Sequence, residues 1–262
     1  EHIDVFVLFD DDRAIGRGLL HRHLCSELGD GFELCAPHLH FTRRAHLGFF
    51  IDKIVDLARN KNASYLEFYH RPGTDVSFRD TLLAHGFSAT DRIWFESDLD
   101  DVKVRALLDN FPDLPAGYAC RWARAEDLEV LATLLRAYFE YEGIHLDDVK
   151  VNSNIRLLLS LPATNGGFLL LVGPAGNLGF ITMTLGPDSQ GRGHAEFADF
   201  FLQESVRGQG LGNAFLAQAV RTIKAQSVQF LGGLVLPDNP MAKIFWGKRG
   251  YCTDLAQLLL RL

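Results

Sequence analysis

Positions 164 residues apart in this chain carry matching residues over most of its length, and that internal repeat limits the fold more than any other feature. Arg43 corresponds to Arg207, Leu47 to Leu211, Gly48 to Gly212, Asp75 to Asn239, Gly86 to Gly250 and Phe87 to Tyr251. Phe6-Val7-Leu8 falls on Leu170-Leu171-Val172 in the same register, with no gap needed. A chain of 262 residues that repeats in this way is expected to fold as two copies of one architecture, each long enough to bury its own core.

The second copy holds the stretch Val206-Arg207-Gly208-Gln209-Gly210-Leu211-Gly212, which follows an apolar run at 197–202 and opens a helical pattern at 213–224. A strand, a glycine turn and a helix N-terminus present unpaired N–H groups and the positive end of the helix dipole, and together these bind a pyrophosphate. The dinucleotide fingerprint would need a third, differently spaced glycine and an acidic residue about twenty positions on. A Walker loop would need G-K-[ST], which is absent. The spacing that fits is Q/R-x-x-G-x-G/A, spelled by Arg207, Gly208, Gln209, Gly210, Leu211 and Gly212. Further on, an apolar strand at 228–236 runs into Pro237-Asp238-Asn239, a helical stretch at 240–249, and Gly250-Tyr251.

With these two segments in this order, the sequence from about Tyr118 to Leu262 resembles the GNAT superfamily of acyl-CoA-dependent N-acyltransferases. The second segment matches that family's other signature through Asn239, Ala242, Phe245, Gly250 and Tyr251. The resemblance implies an α/β (α+β) chain of two tandem GNAT-like domains, each a mixed, mostly antiparallel sheet flanked by helices. The expected boundaries are a degenerate domain at 1–97, a linker at 98–116 and an acyltransferase domain at 117–262. The first copy is degenerate because Arg44 and His46 replace Gly208 and Gly210, and their side chains would fill the space a pyrophosphate needs. It is also expected to be incomplete in this chain, since the counterpart of 118–166 would lie before Glu1. Within the second copy, periodicity predicts a strand at 118–122, helices at 125–141 and 151–161, and a hairpin of 168–172 with 178–185. The linker should carry a short helix at 102–108.

Acyl transfer from a thioester to an amine needs a free amine lone pair, a donor for the tetrahedral oxyanion and an exit for the thiolate. The resemblance implies backbone bonds to the cofactor from Phe201, Leu202 and Gln203, with the oxyanion donor near Leu202, where the central strand splays from its neighbour. The loop Arg207–Asn213 would hold the pyrophosphate, and the pantetheine arm would run toward Asn239 and Phe245. For the base, Glu196 is the first candidate, six residues before the strand's last apolar position. Asp199 is the second, on the opposite strand face unless a bulge intervenes. Trp246 occupies the position where the family usually has an acidic tyrosine, and an indole N–H is not a usable acid. Tyr251, Tyr138 or water would then protonate the thiolate. The aromatic and acidic run Tyr138-Phe139-Glu140-Tyr141-Glu142 suits a cationic acceptor.

Composition narrows the partners. A formal charge of −7 without a basic run argues against nucleic acid. No apolar run approaches the ~20 residues that span a bilayer, so a cytoplasmic protein without membrane contact is expected. Cys25, Cys35, Cys120 and Cys252 lie far apart with no C-x-x-C pair, as suits reduced thiols. His21 with His23, and His38 with His40, would share strand faces, yet no Cys or carboxylate pattern accompanies them, so no metal site is expected. The expected function is acetyl transfer from acetyl-CoA to a small-molecule amine by direct attack, with a homodimer possible. The competing reading is a non-catalytic acyl-CoA-binding or protein-docking module.

Overall fold

The structure, a computed structural model, describes residues 3–10, 12–39, 44–70, 76–99, 101–187, 192–235, 239, 247 and 252–261. The first half runs β1 (Ile3–Asp10), β2 (Arg13–Cys25), β3 (Gly29–Leu39), α1 (Arg44–Asn60), β4 (Tyr65–His70), α2 (Val76–Ala84) and β5 (Ser88–Asp98). A helix α3 (Val102–Asp109) follows, within the stretch expected to link the copies. The second half runs β6 (Ala119–Trp122), α4 (Leu128–Glu142), α5 (Asp148–Leu159), β7 (Gly166–Gly173), β8 (Gly176–Pro187), β9 (Gly193–Leu202), α6 (Leu211–Lys224), β10 (Val228–Val235) and β11 (Cys252–Arg261). Adding 164 to β1, β2, β3, β4 and β5 lands on β7, β8, β9, β10 and β11, so the repeat is one of whole elements.

Local patterning accounts for the helices. On α6, Leu211, Phe215, Leu216, Ala219, Val220 and Ile223 form one buried stripe, and Arg221 and Lys224 sit in the last turn, where they complement the dipole. α4 buries Leu131, Leu134, Leu135 and Phe139 and ends at Gly143, whose φ of 69° gives the left-handed cap a helix end favours. Asp147 caps α5 by accepting from the Lys150 N–H at 2.7 Å. None of the helices among the described residues is long and apolar enough to cross a membrane.

The strands form one sheet of eleven, in the order β1-β2-β3-β4-β11-β5-β10-β9-β8-β7-β6. Each copy contributes a mixed, mostly antiparallel half, with β3–β4 and β9–β10 the parallel pairs. The halves join by exchanging their last strands. β5 of the first half pairs with β10 of the second, and β11 of the second lies between β4 and β5. The exchange covers edges that each half alone would leave open.

The sheet curves so that β2 packs against β8 and β9, while α5 packs on both β3 and β7. The Asn154 amide of α5 donates to the carbonyls of Ser26 at 2.8 Å and Glu27 at 3.0 Å, pinning the β2–β3 turn to the second half.

The gapless register holds for elements but not for strand faces. Leu20, Phe32 and Leu66 lie in the core under α1, whereas Thr184, Glu196 and Phe230, their partners at an offset of 164, lie outside the core under α6. Leu185, Phe197 and Leu231, one residue further on, are in that core. A slip of one residue turns a strand over, and it is this slip that frees Glu196 from the helix-facing core.

Candidate active site

The glycine stretch is a loop whose geometry only glycine supplies cheaply. Gly208 and Gly210 have φ of 74° and 81°, and a Cβ at either would meet no heavy atom within 4 Å. The loop is open as well as left-handed. Gly210 caps α6, and the N–H groups of 208–212 have no backbone acceptor among the described residues, while the Asn213 and Ala214 N–H groups return to the Gly210 carbonyl. In the first half α1 begins at Arg44, three positions earlier than the repeat would place it, so the matching stretch is helix and no glycine loop forms there.

Arg207 fastens this loop to its surroundings. Its Nε donates to the Leu202 carbonyl at 2.8 Å, and its guanidinium lies 4.5 Å from the Tyr141 ring centre and 5.3 Å from that of Phe201. Tyr138 packs against Phe180 and Phe201, and the Asn239 amide donates to Glu142 at 3.4 Å. The end of α4 therefore meets both Arg207 at the head of the glycine loop and Asn239.

β9 separates from β10 after the pair Phe197–Gly233, while β10 continues alongside β5 to Val235. At the same point β9 carries a bulge. Phe197 faces Met183 and Asp199 faces Thr182, so Ala198 is the extra residue. The bulge brings Asp199 onto the face of Glu196, Thr184 and Thr182, resolving the condition the sequence left open. All four side chains are buried. The backbone nearest the splay is thus at Ala198 rather than Leu202. The Leu202 carbonyl accepts from Arg207, and the Gln203 N–H donates to the Leu178 carbonyl at 2.9 Å. Gln203 also lines a depression of about 330 Å³ with Glu129, Val130, Thr133, Leu134 and Asn177.

On that same face the two halves share a cluster of ionisable groups. His23 of β2 lies between Glu67 of β4, reached by Nδ1, and Glu196 of β9, 2.9 Å from Nε2. The Tyr65 hydroxyl is 2.9 Å from Nδ1. Burial alone would push the His23 imidazole down, but Glu196 and Glu67 together hold it well above the usual histidine value. Burial raises the Glu196 carboxyl and His23 only partly offsets this. Burial likewise lifts the Tyr65 and Tyr69 hydroxyls far up, so both stay protonated.

The acetyltransferase (GNAT) family model matches residues 128–251. Residues 128–251 form a GNAT domain. No curated protein is detectably similar to the chain in sequence. Among solved structures, a tandem GNAT protein from the clavulanic acid biosynthesis pathway superposes with a TM-score of 0.61 at 17% identity, over 99% of this chain and 82% of that one. A GCN5-related N-acetyltransferase from Kribbella flavida gives 0.57 at 17% identity, over 94% and 87%. The chain is similar to these in fold across both halves.

Within this GNAT frame, Glu196, Asp199, Phe201 and Leu202 lie along β9 on either side of its splay, Arg207–Asn213 form the loop that enters α6, and Asn239 reaches Glu142 at the end of α4. Phe245, Trp246 and Tyr251 lie outside the described residues. Sequence reasoning missed His23, Glu67 and Tyr65 as company for Glu196. His23 was noticed only as one of a histidine pair, and its carboxylate partners stand 44 and 173 positions away, where no spacing rule reaches. His23, Glu67 and Glu196 offer ligand atoms within 4.8 Å of one another, the composition of a metal site that the sequence did not suggest. Opposite ring nitrogens serve the two carboxylates, however, so only Nε2 and Glu196 converge on one side, fewer than the three protein ligands a catalytic zinc keeps.

Proposed function

We propose that this chain is an acyl-CoA-dependent N-acyltransferase that moves an acetyl group from acetyl-CoA to the amine of a small molecule. The observation that carries the proposal is the open, left-handed loop at Gly208 and Gly210, whose N–H groups at 208–212 meet no backbone acceptor among the described residues, beside a strand that splays and bulges at Ala198. These residues fit a pyrophosphate, because the loop opens a helix N-terminus and a Cβ at Gly208 or Gly210 would meet no heavy atom of the described residues within 4 Å. When bound, acetyl-CoA supplies a thioester whose transfer to an amine forms a C–N bond, breaks the C–S bond and releases a thiolate.

The chain's own groups would do the rest. The backbone N–H at Ala198, the extra residue of the bulge where β9 leaves β10, would be the oxyanion donor. Glu196 takes the proton shed by the acceptor nitrogen, directly or through a water, with Asp199 as the alternative on the same face. Water or a hydroxyl protonates the thiolate, which at a thiol pKa near 8.5 is a tolerable leaving group. Acidic residues at the end of α4 favour a cationic acceptor.

The test is calorimetry with acetyl-CoA on the purified chain, followed by a free-thiol assay across polyamines, amino acids and aminoglycosides. One site per chain with thiol release supports the enzyme. Binding without release for any amine points instead to an acyl-CoA-binding module, and absence of binding sinks the assignment of the loop.

A further inference from the structure

We infer that the first half, although it lacks the cofactor loop, supplies the second half's active site with a positioning residue: His23, held by Glu67 and Tyr65, fixes and ionises the Glu196 carboxylate from across the interface. The inference rests on the acyltransferase reading and deepens it. Its basis is geometric. His23, Glu67 and Glu196 are 4%, 1% and 4% exposed, so bulk solvent does little to stabilise a charge on them. A carboxylate so placed ionises only beside a compensating cation, and the His23 ring stands 2.9 Å from it. The ring stands between two carboxylates, Glu67 on the Nδ1 side and Glu196 on the Nε2 side, so charge on both flanks favours its protonated form.

The strand slip is what makes this arrangement available. It turns Glu196 toward β2 instead of into the core under α6, and the exchange of β5 and β11 brings the halves close enough for β2 to pack on β9. Other ionisable groups on the same face are His21 on β2, Glu33 on β3, Tyr65 and Tyr69 on β4, and His194 and Asp199 on β9. Burial would raise the Glu33 carboxyl, but His21, with His194 and His23 adding, holds it below the usual glutamate value. Glu33 is thus engaged chiefly with His21, leaving His23 to the Glu67–Glu196 pair.

The experiment is the pH profile of kcat/KM for thiol release by the full chain, wild type against His23→Gln, with acetyl-CoA affinity measured on the same samples. His23→Gln is expected to move the acidic limb upward by about 1–3 pH units, the effect of losing an opposite charge at this distance, with cofactor affinity unchanged. A lower rate with an unmoved limb overturns the inference and leaves His23 a packing residue. If the wild type releases no thiol with any amine, the acyltransferase reading fails first and this one with it. Should His23→Gln not fold, ring ¹⁵N shifts of His23 in the wild type and in Glu196→Gln serve in its place. A doubly protonated ring at pH 7.5 whose midpoint falls in Glu196→Gln agrees with the inference, and a neutral ring in the wild type overturns it.

Discussion

The Arg207 guanidinium lies 4.5 Å from the centre of the Tyr141 ring while its Nε donates to the Leu202 carbonyl, so one side chain ties the loop to both α4 and the end of β9. An arginine used in this way shapes a binding loop without itself being free to clamp the ligand. Arg207→Ala removes a hydrogen bond of about 0.5–1.5 kcal/mol and a half-exposed cation–π contact of about 0.5–1 kcal/mol. Acetyl-CoA affinity measured by calorimetry should fall roughly tenfold, with the melting temperature little changed.

Gly210→His places in the second half the residue that the first half carries. A side chain at φ 81° is strained by about 1–2 kcal/mol and projects into the open side of the loop. Binding of acetyl-CoA should be lost, and Gly210→Ala should weaken it while keeping some. Unchanged affinity in Gly210→His would remove the loop from the site.

Glu196 and Asp199 share a face only because Ala198 bulges. If Glu196 is the base, Glu196→Gln should lower kcat by about 10²–10⁴ with little change in cofactor affinity, and Asp199→Asn should cost much less. The reverse ranking would transfer the role to Asp199.

Asn154 is 3% exposed and spends its amide on the Ser26 and Glu27 carbonyls. Asn154→Leu strands those acceptors in the interface at about 1–3 kcal/mol each where they stay buried. Urea denaturation should show a lower midpoint, and because the halves share one sheet the transition should remain single. Two separated transitions would contradict that coupling.

Alkaline pH should destabilise the fold through His23. Its folded pKa lies above the unfolded value of about 6.5, so the folded state binds this proton more tightly. The stabilisation is complete below pH 6.5 and is lost as pH rises through the folded pKa. Denaturant midpoints for the wild type and His23→Gln should differ most near pH 6 and converge as the pH rises. A constant difference would mean that His23 contributes by packing alone.

Much of this molecule was legible because its signals are local. The glycine loop, the stripe on α6, the hairpin of β7 and β8 and the offset of 164 all depend on residues near one another or on comparison of like with like, and each appeared in the structure as an element. The site was legible in part. The glycine loop and the position of Glu196 on β9 are readable in the sequence, but the one-residue bulge at Ala198, which sets the face of Asp199, leaves no mark in composition. The repeat also concealed a slip of one residue, since hydrophobic identity at an offset tolerates a shift that strand faces do not.

By itself, then, the sequence determined the copies, their order of elements and a left-handed glycine turn, all written in backbone propensity and apolar period. Tertiary structure alone decided that β5 and β11 cross between the halves, that β9 bulges at Ala198, and that His23 meets a carboxylate 173 positions away. Those outcomes come from burial and register between distant strands. A buried charge must find its partner wherever the sheet brings one, and sequence spacing carries no record of that distance.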